Sequence, residues 1–174
     1  YQYTPDPIYR DIVYESLNFV ERELTSAENG FYSALDADSE GVEGKFYTFT
    51  KDEIKTILNK DADLFCIYYQ ITDDGNWEEE RTNILMRNLE DSELASQIGI
   101  SEKELTDTIS EAKKILLAAR AGRIRPGLDN KILASWNGMM LKAYSDAYRI
   151  FGEPEFLEKA KLSAAFIQNK LMAG

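Results

Sequence analysis

Residues 30–50 read GFYSALDADSEGVEGKFYTFT, and whatever this stretch does the rest of the chain has to accommodate. Two aromatic runs, Phe31-Tyr32 and Phe46-Tyr47-Thr48-Phe49, flank an acidic centre holding Asp36, Asp38, Glu40 and Glu43, interrupted by Gly41 and Gly44. Aromatic and threonine-rich runs favour strands, while Gly, Asp and Ser favour turns. The pattern predicts a β-hairpin over 31–49 with a long acidic loop and Tyr32 opposite Phe46 or Tyr47. No other part of the chain reads as strand. An isolated two-stranded hairpin is marginal in water, so this one has to lie against helices.

Helices are what the flanking sequence supplies. Pro5-Asp6-Pro7 sets a helix start, and Ile8, Ile12, Val13, Leu17, Val20 and Leu24 recur at helical spacing, which predicts a helix over 6–25. After the hairpin, Thr50 and Glu53 form a capping box that opens a short helix to Leu58. A second short helix is predicted over 61–69. Ser92 or Asp91 is predicted to cap another that ends at Ile98 and is closed by Gly99. Ser101 and Glu104 make a second capping box, opening a long helix over 102–121. The basic loop GRIRPGL follows, from Gly122 to Leu128. Asp129 or Asn130 is then predicted to cap a helix running to Phe151, with Gly152 as its stop. Pro154 starts the last helix. Short loops between long amphipathic helices imply antiparallel helical hairpins. The fold class predicted is therefore all-α, with residues 1–174 forming one domain that is part of a toroid or solenoid of α-hairpins. A closed ring of six hairpins needs roughly twice this length, so the chain reads as a piece of a longer protein.

Composition narrows the function classes. The net charge of −11 argues against a nucleic-acid backbone as partner and against anionic membranes. No run approaches the roughly 20 apolar residues of a membrane span, and no signal peptide opens the chain. A single cysteine, Cys66, permits no internal disulfide and points to a reducing, cytoplasmic setting. It sits in the apolar run Leu64-Phe65-Cys66-Ile67, where a buried structural thiol is expected rather than a nucleophile. The chain has no histidine, which excludes His-dependent chemistry and the usual zinc sites from it. No cofactor is expected.

Acidic side chains are the candidates for chemistry. Crowded carboxylates raise at least one pKa, and this is how a pair divides into acid and base for glycoside hydrolysis. An acidic, solvated turn is the competing account of the same residues. A calcium loop is a third, but Glu40 is too long for its ligand position and Tyr47 stands where a bidentate Glu belongs, so no tight metal site is expected. Trp136 and Asn137 offer a flat apolar face and a bifunctional hydrogen-bonding edge, as a sugar ring requires. A core position at helical spacing with Leu133 and Met140 is the stronger account of Trp136. Asn137 inside a helix demands a polar partner. Arg123 and Arg125 are expected to pair with the acidic loop, or else to bind an anionic substrate. Trp77 and Glu78 are candidates for the rim of the same mouth, with a plain surface loop as the alternative.

Three stretches carry a family resemblance. They are residues 30–50, the run RIRPGLDNKILASWNGMM over 123–140, and, more weakly, Gly75-Asn76-Trp77-Glu78 with Thr82-Asn83-Ile84-Leu85. The chain resembles the YyaL-like, thioredoxin-domain-containing proteins related to the spermatogenesis-associated proteins. It departs from that family's pattern at Asn130 and Ala134, where an acid and a hydroxyl are usual. The resemblance implies a slice of an (α/α)6 barrel similar to six-hairpin glycosidases and sugar epimerases, in a protein that also carries a thioredoxin-like domain. On that basis Asp36, Asp38 and Asp129 are the candidate catalytic acids of a carbohydrate-active site. Trp77, Arg123, Arg125, Trp136 and Asn137 are the candidate substrate contacts. A non-catalytic scaffold supporting the thioredoxin-like domain is the alternative, and the partners implied are a sugar or other small molecule, the remaining hairpins, that domain, and a second copy of the fragment.

Overall fold

A computed structural model describes Tyr1, residues 3–77 and residues 79–172. The expectation placed on Glu78 lies outside the described residues. In chain order the elements are α1 (Pro7–Leu24), β1 (Ala34–Leu35), β2 (Asp38–Ser39), β3 (Val42–Glu43), α2 (Lys51–Leu58), α3 (Ala62–Tyr68), α4 (Asp91–Ile98), α5 (Glu102–Ala121), β4 (Leu128–Asp129), α6 (Ala134–Phe151) and α7 (Pro154–Phe166). The protein is mostly helical with two small antiparallel strand pairs, as an all-α class with a small hairpin requires. It divides into two compact units, Tyr1–Asp36 with Leu128–Gly174, and Ala37–Gly127.

In the first unit, α1 begins as its sequence dictates. Pro7 occupies the first turn, and the Asp6 carboxylate accepts from the Ile8 N–H at 3.0 Å, satisfying one of the free donors there. Gly152 closes α6 in the left-handed region (φ 73°), and Pro154 opens α7. Leu17 of α1, Tyr144 and Ala147 of α6, and Phe156 and Ala160 of α7 share one apolar cluster with Phe31. Gly30 is fixed by packing, since a Cβ there would come within 2.4 Å of the Phe166 ring. β1 and β4 pair antiparallel, Ala34 opposite Asp129 and Leu35 opposite Leu128.

The second unit packs α2, α3, α4 and α5 around Ile54, Leu58, Ala62, Phe65, Leu94, Leu105, Ile109, Ala112 and Leu116. The capping box at α2 is complete in both directions, and Ser101 accepts from the Glu104 N–H at the start of α5. Cys66 is a buried member of this core, and burial pushes its thiol up.

The hairpin is real but sits elsewhere than the aromatic runs suggest. The paired strands are β2 and β3, inside the acidic centre, joined by Glu40-Gly41 with φ values of 56° and 74°. Two consecutive positive φ angles twist the turn to match the strands. Glutamate is an unusual occupant of the first position, which hid the signal. Phe31 and Tyr32 bridge instead to Thr25 and Leu24, and Phe49 bridges to Asn83. β4 corrects the expectation that no other part of the chain is extended. The helix expected from Asp129 begins at Ala134, because residues 128–133 first run alongside β1.

Candidate functional site

Asn137 is the site residue whose geometry is most constrained. It is fully buried in the first turns of α6. Its Oδ1 accepts from the Phe31 N–H at 2.8 Å, and its Nδ2 donates to the Phe31 and Leu133 carbonyls, each at 3.0 Å. The side-chain amide thus stands in for a strand, pairing both backbone groups of a residue 106 positions away. Around it, Ser33 donates to the Lys131 carbonyl at 2.8 Å, and the Ser33 N–H donates to the Asp129 carbonyl at 3.2 Å. Within the first unit the two long motif stretches therefore meet through backbone and amide.

Asp129 does not cap a helix. Its carboxylate accepts from the Lys131 N–H at 3.2 Å and from the Lys131 Nζ at 3.0 Å, and this partner holds its pKa below the usual carboxylate range. Asp36 and Asp38 are exposed, Asp36 in the first unit and Asp38 on β2 of the second. Trp136 is 45% exposed, with Met139 at 60%, which corrects the expectation of a core tryptophan. Asn137, Tyr144 and Ala147 take the inward face of α6 instead.

In the second unit, Arg123 corrects the expected pairing with the acidic loop. Its guanidinium donates to the carbonyls of Lys45, Phe46 and Thr48, at 3.1, 3.2 and 2.6 Å, and to Glu53 at 3.0 Å. It also lies 4.2 Å from the Phe49 ring centroid, while Arg125 lies over Phe46 at 5.5 Å. Glu40 of the loop pairs with Lys45 at 2.9 Å. The aromatic run is thus held by arginine through carbonyls and ring faces together. Trp77 is half-buried against Gly44, where a Cβ would approach the indole to 2.6 Å, and Gly44 has φ 70° besides.

A cavity of about 690 Å³ opens beside Arg123, walled by Val42, Phe46 and Ile124 and rimmed by Glu53, Glu80 and Lys45. The Thr82 hydroxyl borders it, buried and without a hydrogen-bond partner. Among the described residues no group of three or more His, Cys, Asp or Glu could hold a metal ion.

Sequence reasoning passed over two asparagines that repeat what Asn137 does. The buried Asn83 accepts from the Thr72 N–H at 3.0 Å and donates to the Thr72 and Phe49 carbonyls. Asn76 accepts from the Ile84 N–H and donates to the Ile84 carbonyl, both at 2.8 Å. The available signal was their place inside short motif stretches, Asn76 between Gly75 and Trp77 and Asn83 between the β-branched Thr82 and Ile84.

These features define a helical protein whose motif asparagines and arginine pin extended segments in place. No protein-family model matches the chain. It is 35% identical to an uncharacterized protein of Caenorhabditis elegans over 84% of this chain and 23% of that protein. It is 27% identical to human Spermatogenesis-associated protein 20 and 26% identical to the mouse protein, over 98% of this chain and 25% of each of those proteins. The similarity to Spermatogenesis-associated protein 20 extends along nearly the whole of this chain. The chain spans about a quarter of the length of these relatives. Among the described residues no helix is long and apolar enough to cross a membrane.

Proposed function

We propose that this chain is a loop-holding segment of an (α/α) toroid in a protein like Spermatogenesis-associated protein 20, a scaffold for a thioredoxin-like domain or another partner rather than the seat of proton transfer. The observation that carries this reading is the direction of the motif residues' hydrogen bonds. Both amide protons of Asn137 go to main-chain carbonyls, and its oxygen takes the Phe31 N–H. Arg123 directs its donors to three carbonyls and one glutamate of its own unit. Groups so engaged have little left to offer a substrate. In the intact chain, Asn137→Ala and Arg123→Ala are expected to lower unfolding stability by about 2–4 kcal/mol, the scale of buried backbone groups left unpaired. Calorimetry of the wild type against mono- and oligosaccharides is expected to show no saturable heat. Sugar binding that Asp38→Asn or Asp129→Asn abolishes at unchanged stability would overturn the scaffold reading.

A carbohydrate-active site is the second reading, and the cavity beside Arg123 favours it. Apolar walls with a few rim carboxylates are what a small polar ligand needs. Of the residues expected at such a site, Arg123 lines this cavity.

A further inference from the structure

The first unit holds a smaller cavity, of about 170 Å³, that none of the motif stretches explains. α1 contributes Tyr14 and Glu21, α6 contributes Tyr144, and α7 with the residue before it contributes Glu153, Glu155 and Phe156. Its polar groups are unevenly satisfied. Tyr14 donates to Glu153 at 3.0 Å, and Lys159 pairs with Glu21. Arg10 lies behind Tyr14, 5.1 Å from its ring centroid. Glu155 makes no hydrogen bond or ion pair among the described residues. Tyr144 is only 2% exposed, and its hydroxyl has no hydrogen-bond partner among them either. Burial, with Glu21 and Glu155 nearby, pushes the Tyr144 phenol up to about 12, so it stays a neutral hydroxyl at any ordinary pH.

The Tyr144 hydroxyl and the Glu155 carboxylate both line this cavity without a partner, which leaves both able to accept from a ligand. The charge balance sets the ligand's sign. Three glutamates face two cations, Lys159 and Arg10, and Lys159 is already engaged. An anion is therefore disfavoured, and a cation completes the site. The carboxylates do not form a metal-holding group. The walls are instead aromatic: Tyr14 meets Phe156 edge-on at 5.2 Å, and Tyr144 lies 6.4 Å from Phe156. Aromatic walls with carboxylates suit an organic cation, which takes the ring faces along its stem and the acids at its head. Size limits the stem, since a cavity of about 150 Å³ accommodates a benzene-sized molecule. An ammonium head carries three donors, which is enough for Glu155, the Tyr144 oxygen and one oxygen of Glu153.

We infer that this cavity, among α1, α6 and α7, binds a small primary alkylammonium whose head lies between Glu155 and Tyr144 and whose stem lies on Phe156 and Tyr14. The inference is independent of the proposed function, because it uses none of the residues on which that reading rests.

The probe is n-butylammonium chloride, titrated at constant ionic strength into the ¹⁵N-labelled intact chain, with n-butanol and butyrate as neutral and anionic analogues. Saturable amide shifts confined to residues 14–21, 144–148 and 153–159 are expected with the ammonium alone. Glu155→Gln is expected to weaken binding about tenfold, the scale of one charge-assisted hydrogen bond. Tyr144→Phe keeps the ring and is expected to weaken binding several-fold, while retained spectral dispersion and unfolding midpoint show that the core is intact. Should Tyr144→Phe unfold, Glu155→Gln carries the test, since Glu155 is exposed and outside the core cluster. Absent or non-saturating shifts, equal binding of n-butanol, or undiminished binding by Glu155→Gln would each overturn the inference.

Discussion

Changing Asn137 to Asp is the most informative single perturbation, because it alters one atom's chemistry and almost none of its volume. The Oδ1 contact with the Phe31 N–H survives the change. The other position, which donates to the Phe31 and Leu133 carbonyls at 3.0 Å each, becomes an oxygen facing two oxygens. Ionised, the new carboxylate is a buried charge with no counter-ion, and the penalty expected is about 3–5 kcal/mol. Protonated, it can donate to one carbonyl where Asn served two, leaving about 1–2 kcal/mol. The folded state therefore favours the neutral acid, and its pKa rises above the unfolded value of about 3.9. Between those two values the native state binds more protons than the unfolded state, so stability falls as pH rises, by up to about 1.4 kcal/mol per pH unit. The deficit relative to wild type should thus be largest near neutrality and shrink on acidification. Urea unfolding followed by tryptophan fluorescence over a pH series measures it, and subtracting the wild type cancels every other carboxylate. A variant within about 1 kcal/mol of wild type at neutral pH, or a deficit that does not change with pH, would refute the reading of Asn137 as a strand substitute.

Other outcomes follow from the same contacts. Gly30→Ala should cost about 1–3 kcal/mol through its collision with Phe166, and Phe166→Leu should recover part of that in a double-mutant cycle. Arg123→Lys keeps the charge but loses the fork and the planar stack on Phe49, so chemical denaturation should find it less stable by about 1–2 kcal/mol. In an NMR titration the Asp129 carboxyl should show a midpoint below the usual carboxylate range and move up in Lys131→Gln. Because that pKa is depressed on folding, the associated stability is present at neutral pH and lost as pH falls through the folded value. Exposed Leu133, Trp136 and Met139 should make the isolated chain self-associate or bind a hydrophobic dye, and sedimentation of a monodisperse, dye-silent monomer would contradict this.

What could be read from the sequence was whatever local chemistry dictates. The helix start within Pro5-Asp6-Pro7, the caps at Thr50 and Ser101, the stops at Gly99 and Gly152, and the apolar periodicity of α5 depend on neighbours a few residues away, and each stands where it was expected. The start of α6 depends instead on a partner at 34–35, which no local pattern around Asp129 reveals. Trp136 is misread because packing turns Asn137, Tyr144 and Ala147 inward on α6 and leaves Trp136 exposed. The acidic loop was legible as a turn but not as the paired part of the hairpin, since Glu at a positive-φ position carries no recognisable turn signature. Arg123 was legible as a clamp, but its partners were not. Charge arithmetic ranks carboxylates first, whereas a guanidinium equally suits a cluster of carbonyls beside an aromatic ring.

The asparagines resolve a difficulty that the strands alone leave open. Each strand here is two residues long, far below what an isolated pair needs to persist in water. Segments around Phe31, Thr72 and Ile84 still have backbone donors and acceptors to satisfy. A side-chain amide carries the same donor and acceptor as a peptide group, so one asparagine supplies a single rung of ladder without an adjoining strand. Asn137 does this from a helix and Asn76 from a loop, while Asn83 does it at a bridge to Phe49. Aspartate lacks the donor and alanine lacks both groups, so only the amide fits. Glutamine has the chemistry but adds a methylene, which the fully buried Asn137 has no room for. Asn137→Gln should therefore destabilise the first unit despite retaining every polar atom. Its urea midpoint should fall below that of wild type at every pH, without the acid recovery of Asn137→Asp, and a wild-type midpoint would show that the pairing tolerates a longer arm.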